Sequence, residues 1–322
     1  MNKSIDALIV GGFVVDNILV IENMPIPGKC LYARDFKVLV GGSANFAITA
    51  SRLGLKTALL DAVGLDDTGK MALNILREEN VDVSFTISRN GLTKRVLLLI
   101  TIKGERSFIN LVRGSATISP NDVDEEVIKR SKSIYVTGFS LGIDEIASSE
   151  GEAVLKAIET ANKHGKIVFF DPGPFVGSID PKTLDKVLER TDILSMNLQE
   201  AVILTGKDRP EDIVTRLHGK GPWVIAVKMG ENGCFLSVKG KYYRQPSIKV
   251  PVIDTTGAGD AFNAALLYGF LRGLSPYMVI KLANTVGALA TTKLGAGQNL
   301  PRKQEIVSFL EKLNEGELLR TL

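Results

Sequence analysis

The sequence contains few of the residues that build disulfide frameworks or metal centres. Only two of its 322 residues are cysteine and only two are histidine, and Cys30 lies far from Cys234 along the chain. His164 and His218 do not have the close spacing that is typical of metal ligands. These scarcities argue against a disulfide-stabilised scaffold, and we expect the protein to work in a reducing compartment.

Long blocks of one charge and long apolar runs are also missing. The 39 lysines and arginines nearly balance the 36 aspartates and glutamates, so the net charge is only +3. No apolar stretch reaches the ~18 residues that a membrane helix needs. The apolar run from Ala7 to Val10 is interrupted by Gly11 and is too short for a signal sequence. We therefore expect a cytoplasmic protein that binds neither nucleic acid nor a membrane.

The sequence does contain a regular alternation of β-rich runs and helical patterns. Strand-like segments such as KTALLDAVG and SIYVTG are followed by helical patterns such as GKMALNILREEN and EAVLKAIETANKHG. A helical pattern from Ser43 to Leu53 is followed by Gly54, which is suited to ending a helix. This alternation indicates βαβ units, and hence an α/β protein with a mostly parallel sheet.

Two segments interrupt the alternation with strand pairs that have no helix between them. They cover about residues 13–40 and 93–113, and Lys103, Gly104 and Glu105 form a good turn in the second. We expect them to form a small β-sheet that acts as a lid and keeps water from a reacting centre. The alternative is an edge hairpin without a function.

A glycine-rich stretch, DTTGAGDAF, begins at Asp254, where an apolar run gives way to a helical pattern. It lacks the lysine of a P-loop, and Phe262 stands where a dinucleotide fingerprint needs a small residue. What remains is an anion site made by the free N–H groups of a helix N-terminus, from Gly257 to Asp260. Asp260 would then lie beside the anion, where it could take a proton from an attacking hydroxyl. The alternative is that Asp260 only caps its helix, which is worth ~1 kcal/mol.

The complete stretch closely resembles the C-terminal signature of the PfkB carbohydrate kinases, in the ribokinase-like superfamily. A second segment, GGSANFA from Gly41 to Ala47, resembles the first signature of that family. The resemblance covers nearly the whole chain. It implies one domain over residues 1–322, with a three-layer α/β/α core, a mostly parallel central sheet and a small β-sheet lid.

The resemblance also implies roles for particular residues. Asp260 would be the general base, and the amides of Gly257, Ala258 and Gly259 would complete the anion hole. ATP would contact the following residues: Asn197, Lys228, Gly230, Gly233 and Asn284. Mg²⁺ would be held by Glu200, in part through water. Asp254 and Thr256 would hold a monovalent cation such as K⁺, with carbonyl groups near Ala288, Gly295 and Asn299.

The sequence predicts the type of reaction more specifically than the compound that accepts the phosphoryl group. By resemblance, a sugar would be bound by Asp16, Gly41, Gly42 and Asn45. Arg106 and Arg113 in the lid could reach an acidic sugar or could be solvated strand charges.

Three further possibilities stay open at this point. A nucleoside kinase is the runner-up, and a catalytically silent sugar- or nucleotide-binding regulator is a more distant alternative. The apolar run VLLLI, at positions 96–100, is compatible with a homodimer formed through the lid and equally with packing inside the chain.

Overall fold

The computed structural model describes residues 4–141 and 147–322. The strands, in chain order, are β1 (Ile5–Val10), β2 (Phe13–Ile21), β3 (Asp35–Gly42), β4 (Thr57–Leu60), β5 (Ala62–Gly64), β6 (Ile87–Arg89), β7 (Arg95–Thr101), β8 (Arg106–Leu111), β9 (Ser131–Thr137), β10 (Ile167–Asp171), β11 (Ile193–Asn197), β12 (Val224–Lys228), β13 (Cys234–Val238) and β14 (Lys241–Gln245).

The α-helices mostly follow strands of the central sheet. They are α1 (Ser43–Arg52), α2 (Asp67–Glu78), α3 (Glu125–Arg130), α4 (Ala147–Lys163), α5 (Pro181–Glu189), α6 (Leu198–Thr205), α7 (Pro210–His218), α8 (Ala258–Leu271), α9 (Pro276–Ala290), α10 (Lys303–Lys312) and α11 (Gly316–Leu319).

Within the described residues, the central sheet has eight strands in the order β14-β13-β12-β11-β10-β9-β1-β4. The strands from β12 to β4 run parallel, and β13 and β14 add an antiparallel edge. Alternate residues of each strand pack into two separate cores: in β1, Ile9 joins the core that contains α1, α8 and α9, whereas Leu8 joins the core that contains α4 and α7. Burial on both faces explains why the strands are apolar throughout, and it confirms the predicted three layers.

The two segments predicted to form a lid make one small sheet in the order β3-β2-β7-β8. The β2–β3 and β7–β8 pairs are antiparallel hairpins, and β2 pairs with β7 in parallel. Its inner face is apolar and packs near Leu294, with Leu98 and Ile100 of the VLLLI run buried there. That part of the run therefore packs inside the chain.

The small sheet joins the core at a cluster of buried charges. The Lys94 ammonium lies 3.0 Å from Asp61 and 2.7 Å from Glu150, and all three side chains are at most 6% exposed. Asp61 accepts the N–H of Phe13, and Glu150 accepts the N–H of Gly12, where β2 begins. The cluster therefore fixes both chain segments that enter the lid. No local pattern in the sequence indicates this cluster, because its three residues come from distant segments.

In the described part of the chain, no helix is both long and apolar enough to cross a membrane.

We predict that Lys94→Met destabilises the protein strongly at neutral pH. Removing the ammonium leaves two buried carboxylates without a counter-charge, a change that costs about 3–5 kcal/mol. Burial raises the pKa of Asp61 to about 6 even with Lys94 present. Without the ammonium both carboxyls should keep their protons to a higher pH than in the unmodified protein, so the loss should shrink as the pH falls. Denaturant unfolding at two pH values measures both effects.

Lys70→Met is the matched control, because Lys70 forms an ion pair with Asp67 that is exposed at the surface. Its loss should change the unfolding free energy by less than about 1 kcal/mol at either pH. Equal effects of the two substitutions would contradict the role given to the Lys94 cluster.

Candidate active site

The glycine-rich stretch lies where the loop after β14 turns into α8. Gly257 has φ = 76°, which L side chains rarely adopt, and a Cβ there would meet the Cβ of Ala296 at 2.7 Å. A Cβ on Gly259 would stand 3.3 Å from the Lys228 ammonium. Glycine is therefore required at position 257 by the close approach of the C-terminal loop, whereas a side chain at position 259 would crowd only the tip of Lys228.

The N-terminus of α8 leaves backbone donors free, although fewer than predicted. The Ala258 N–H donates to the carbonyl of Thr255 at 3.2 Å, so it is already used within the turn. No acceptor is found for the N–H groups of Gly257, Gly259 and Asp260 among the described residues. These three donors, together with the helix dipole, can bind an anion. Ala258 is thus corrected from an anion-hole donor to a residue of the turn.

Asp260 is held by side chains from two other parts of the chain. Asn45 Nδ2 donates to Asp260 Oδ2 at 3.2 Å, and the Tyr135 hydroxyl donates to Oδ1 at 3.4 Å. Asn45 Oδ1 accepts the Gly297 N–H at 2.8 Å, which fixes the amide so that its nitrogen faces Asp260. Asn45 was predicted to bind substrate, but the structure shows its amide engaged with Asp260 and Gly297.

A second polar cluster, missed from the sequence, adjoins Asp260. Asp171, at the end of β10, accepts hydrogen bonds from Lys228 Nζ at 3.1 Å and from Asn263 Nδ2. Asn263 is buried in α8, and its Oδ1 accepts from Ser195. Carboxyl ends of parallel strands are the usual location of α/β active sites. That rule could have singled out the aspartate in FFDPG, since it follows the apolar run IVFF.

This surrounding raises the pKa of the Asp260 carboxyl to about 7. Burial is the main cause, and the negative charge of Asp171 adds to it, whereas the hydrogen bond from Asn45 and the charge of Lys228 oppose it. A group whose pKa lies near neutrality can both take and release a proton in that range, as general base catalysis requires.

All five residues predicted to bind ATP line one cavity of about 990 Å³, and they are Asn197, Lys228, Gly230, Gly233 and Asn284. They share it with Asp171, Gly259 and Asp260, and with Glu200, which was predicted to hold Mg²⁺. Two of these residues also stabilise helix α6: the Asn197 side chain accepts the Glu200 N–H, and Glu200 accepts the Asn197 N–H, each at 2.8 Å. Glu200 is therefore both a helix cap and a wall of the cavity.

The cavity wall offers carboxylate oxygens that suit Mg²⁺. Asp171 and Glu200 both line it, and burial, followed by the charge of Asp171, raises the pKa of Glu200. No group of three or more potential metal ligands occurs among the described residues. Proteins usually hold Mg²⁺ beside phosphates through one or two carboxylates and water.

On the lid side, Asp16 faces a backbone that only glycine permits. A Cβ on Gly41 would lie 2.2 Å from Asp16 Oδ2, and a Cβ on Gly42 would lie 2.2 Å from the carbonyl oxygen of Gly12. The Asp16 carboxylate has no hydrogen bond or ion pair with any described residue, and burial raises its pKa to about 6. Its oxygens are thus available to a ligand that donates hydrogen bonds.

The two lid arginines behave differently from each other. Arg106 is paired with Asp254 at 2.9 Å, so its guanidinium is engaged in the chain and is not a free cation for an acidic sugar. Arg113 is exposed in the turn after β8, and nothing among the described residues links it to the site. Asp254 and Thr256 do adjoin, since Thr256 Oγ1 donates to Asp254 Oδ1 at 2.8 Å.

Comparison with known proteins gives a consistent result over most of the chain. The model of the pfkB family of carbohydrate kinases matches residues 5–303. Fructokinase-1 of Zea mays is 32% identical over 290 residues, which cover 84% of this chain and 88% of that protein.

Two solved structures show the same fold. Ribokinase of Arabidopsis thaliana, complexed with ribose and ATP, matches with a TM-score of 0.81 at 25% identity, over 96% of this chain and 99% of that chain. A protein of E. coli in complex with ATP and Mg²⁺ matches with a TM-score of 0.84 at 24% identity, with the same coverage. The predicted ribokinase-like fold is confirmed. With the family match and the sequence identity to the fructokinase, these findings show that the chain belongs to the pfkB family of carbohydrate kinases.

Proposed function

We propose that the protein transfers the γ-phosphoryl group of ATP to a hydroxyl group of a small sugar, with residues 1–322 acting as one kinase domain. The observation that carries the proposal is the position of Asp260, beside three free N–H donors at the start of α8. A site that only bound a phosphate would be weakened by this carboxylate, because like charges repel. The carboxylate is suited instead to accepting the proton of a hydroxyl that attacks the phosphoryl group.

ATP is proposed to occupy the cavity between β12 and α9, with its phosphates toward Gly259. Lys228 lies next to Gly259, so its charge would favour phosphate there. The Arabidopsis and E. coli proteins of the same fold both bind ATP, which supports a nucleotide site in this chain. Mg²⁺, when bound, would neutralise phosphate charge, and Asp171 and Glu200 are the residues suited to hold it through water.

The sugar is proposed to bind on the lid side, where Asp16 lacks a partner. A half-buried carboxylate without hydrogen bonds gains most from a ligand that brings several donors, and a polyhydroxylated compound does so. The sequence identity to a fructokinase favours a sugar over the ribose of a nucleoside.

A catalytically silent regulator remains the alternative from another class. It is disfavoured by the hydrogen bonds from Asn45 and Tyr135 that orient Asp260, since binding alone does not need that carboxylate. The discriminating experiment is ADP formation from Mg·ATP against a panel of sugars, sugar acids and nucleosides. One acceptor with a high kcat/KM supports the proposal, whereas ATP binding without turnover on any acceptor favours the regulator.

We predict that Asp260→Asn lowers kcat by ~10²–10⁴-fold, because a general base of this kind contributes that much. Binding of ATP and sugar should change little, as the amide keeps the size of the carboxyl. Asp67→Asn is the matched control: Asp67 also lies in the first turn of a helix, but it is 99% exposed. Retention of kcat in Asp260→Asn would refute the assigned role.

We predict that kcat/KM for the sugar rises with pH through an apparent pKa near 7, since Asp260 must be ionised to accept a proton. Two substitutions should move this rising limb of the pH profile of kcat/KM in opposite directions. Asp171→Asn removes a negative charge that raises the pKa of Asp260, so the limb should move to lower pH. Lys228→Met removes a positive charge that lowers the pKa, so the limb should move to higher pH. Shifts in the same direction would rule out Asp260 as the titrating group.

We further propose that the protein forms a homodimer through the lid. Strand β8 is the edge of the small sheet, and it exposes Phe108, Ile109 and Leu111, which are 58%, 46% and 51% accessible. An apolar edge strand is prone to pair with another chain.

Light scattering should therefore give twice the mass of the 34.8 kDa chain. Phe108→Glu should shift the protein toward the monomer. A monomeric wild type at high concentration would contradict the dimer while leaving the kinase proposal intact.

A further inference from the structure

The loop that leads into the anion site is organised around one buried carboxylate. Asp254 is 0% exposed, and its Oδ1 accepts the N–H of Thr256 at 3.0 Å and its hydroxyl at 2.8 Å. Its Oδ2 accepts the Gly295 N–H at 2.8 Å. Asp254 thus links the loop between β14 and α8 to the C-terminal loop that contains Gly295 and Gly297. Gly297 in turn holds the side chain of Asn45. The geometry of the anion site therefore depends on Asp254.

The counter-charge for this carboxylate comes from the lid. Arg106, the first residue of β8, places Nη2 2.9 Å from Asp254 Oδ1 and Nη1 3.3 Å from Thr255 Oγ1. The other ion pairs in the described chain involve different carboxylates, so Arg106 is the cation paired with Asp254 there. A fully buried carboxylate is costly without such a partner, and this partner can be in place only when the lid rests on the core.

The contacts of the lid with the same loop strengthen this link. A Cβ on Gly295 would lie 2.6 Å from Leu39 Cδ1 in β3, and a Cβ on Gly297 would lie 2.3 Å from the Val40 carbonyl. The small sheet therefore touches the C-terminal loop through Leu39 and Val40 and the loop before α8 through Arg106. When the lid is closed, the Arg106 guanidinium and the packing of Leu39 and Val40 therefore both act on the loops around the anion site.

The expected monovalent cation does not fit these contacts. Each oxygen of Asp254 already accepts at least one hydrogen bond from the chain, and an ion at Oδ1 would meet the guanidinium at close range. Two positive charges at such a distance repel strongly in a buried setting. The K⁺ ion predicted at Asp254 and Thr256 is therefore replaced by an internal cation, and Arg106, one of whose predicted roles was to reach an acidic sugar, is a positioning residue.

We infer that the Arg106 guanidinium is the counter-cation of Asp254, that it holds the anion-binding loop in its working geometry when the lid closes, and that turnover needs no exchangeable monovalent cation. The part of this inference that concerns turnover rests on the proposed kinase activity, whereas the part that concerns the Arg106–Asp254 ion pair does not.

The first test uses the unmodified protein. Turnover should be the same when K⁺ and Na⁺ are replaced by tetramethylammonium, an ion too large for the loop. Loss of activity on that exchange, restored by K⁺, would overturn the inference.

The second test removes the guanidinium. Arg106→Ala should lower kcat by ~10²-fold, the effect of misplacing a catalytic group by about 1 Å, with a small change in KM for ATP. Millimolar guanidinium, and to a lesser degree K⁺, should restore part of the lost kcat by filling the vacated position. Arg106→Lys should retain intermediate activity without any added cation.

Arg95→Ala is the matched control. Arg95 lies on the same small sheet and is paired with Asp66 at 2.8 Å, with 33% of its side chain exposed against 27% for Arg106. Neither guanidinium nor K⁺ should change its turnover. Equal rescue of both variants, or an Arg106→Ala protein with normal kcat and a raised KM for the sugar alone, would refute the positioning role.

A readout without turnover separates this inference from the kinase proposal. The melting temperature of Arg106→Ala should rise in low concentrations of guanidinium or K⁺ relative to tetramethylammonium, while that of the wild type and of Arg95→Ala should not. If no acceptor is phosphorylated yet this selective stabilisation occurs, the proposed function fails and the charge pairing stands. If sugars are phosphorylated but no selective stabilisation occurs, the charge pairing fails.

Discussion

The hydrogen bond from the Asn45 amide to the Asp260 carboxylate is the interaction on which the site depends. Asn45 belongs to α1, near the start of the chain, and Asp260 to α8, near its end. Because the Asn45 oxygen is held by the Gly297 N–H, the amide can present only its nitrogen to Asp260. The two helices pack against the same face of the central sheet, so the core itself determines where the carboxylate stands.

The environment of that carboxylate combines attraction and repulsion in a way that suits proton transfer. Burial and Asp171 raise its pKa toward neutrality, whereas Asn45 and Lys228 keep it from rising further. The same Lys228 and Asp171 form an ion pair at the carboxyl ends of two parallel strands. Phosphoryl transfer requires mainly positioning and charge stabilisation from a protein, and this arrangement supplies both from rigid elements of the sheet and helix.

Patterns in the sequence predicted those features of the structure that depend on residues close together along the chain. Apolar periodicity predicted the alternating strands and the two lid segments, and the glycines predicted the turn before α8. The resemblance to a family predicted the fold. Asp171, Asn263 and Tyr135 were missed because their hydrogen bonds join residues about a hundred positions apart along the chain. The ion pair of Arg106 with Asp254 was not among the predicted alternatives either, since the sequence does not show that β8 lies above Asp254.

The central claim is that the protein transfers the γ-phosphoryl group of ATP to a sugar hydroxyl, and the most direct test is to follow both products together. Phosphorus NMR of the protein with Mg·ATP and the best acceptor of the panel would record ADP and a phosphate ester in one sample. The account predicts that the two appear in equal amounts and that free phosphate does not accumulate. ADP accompanied by free phosphate, with no ester formed, would contradict it.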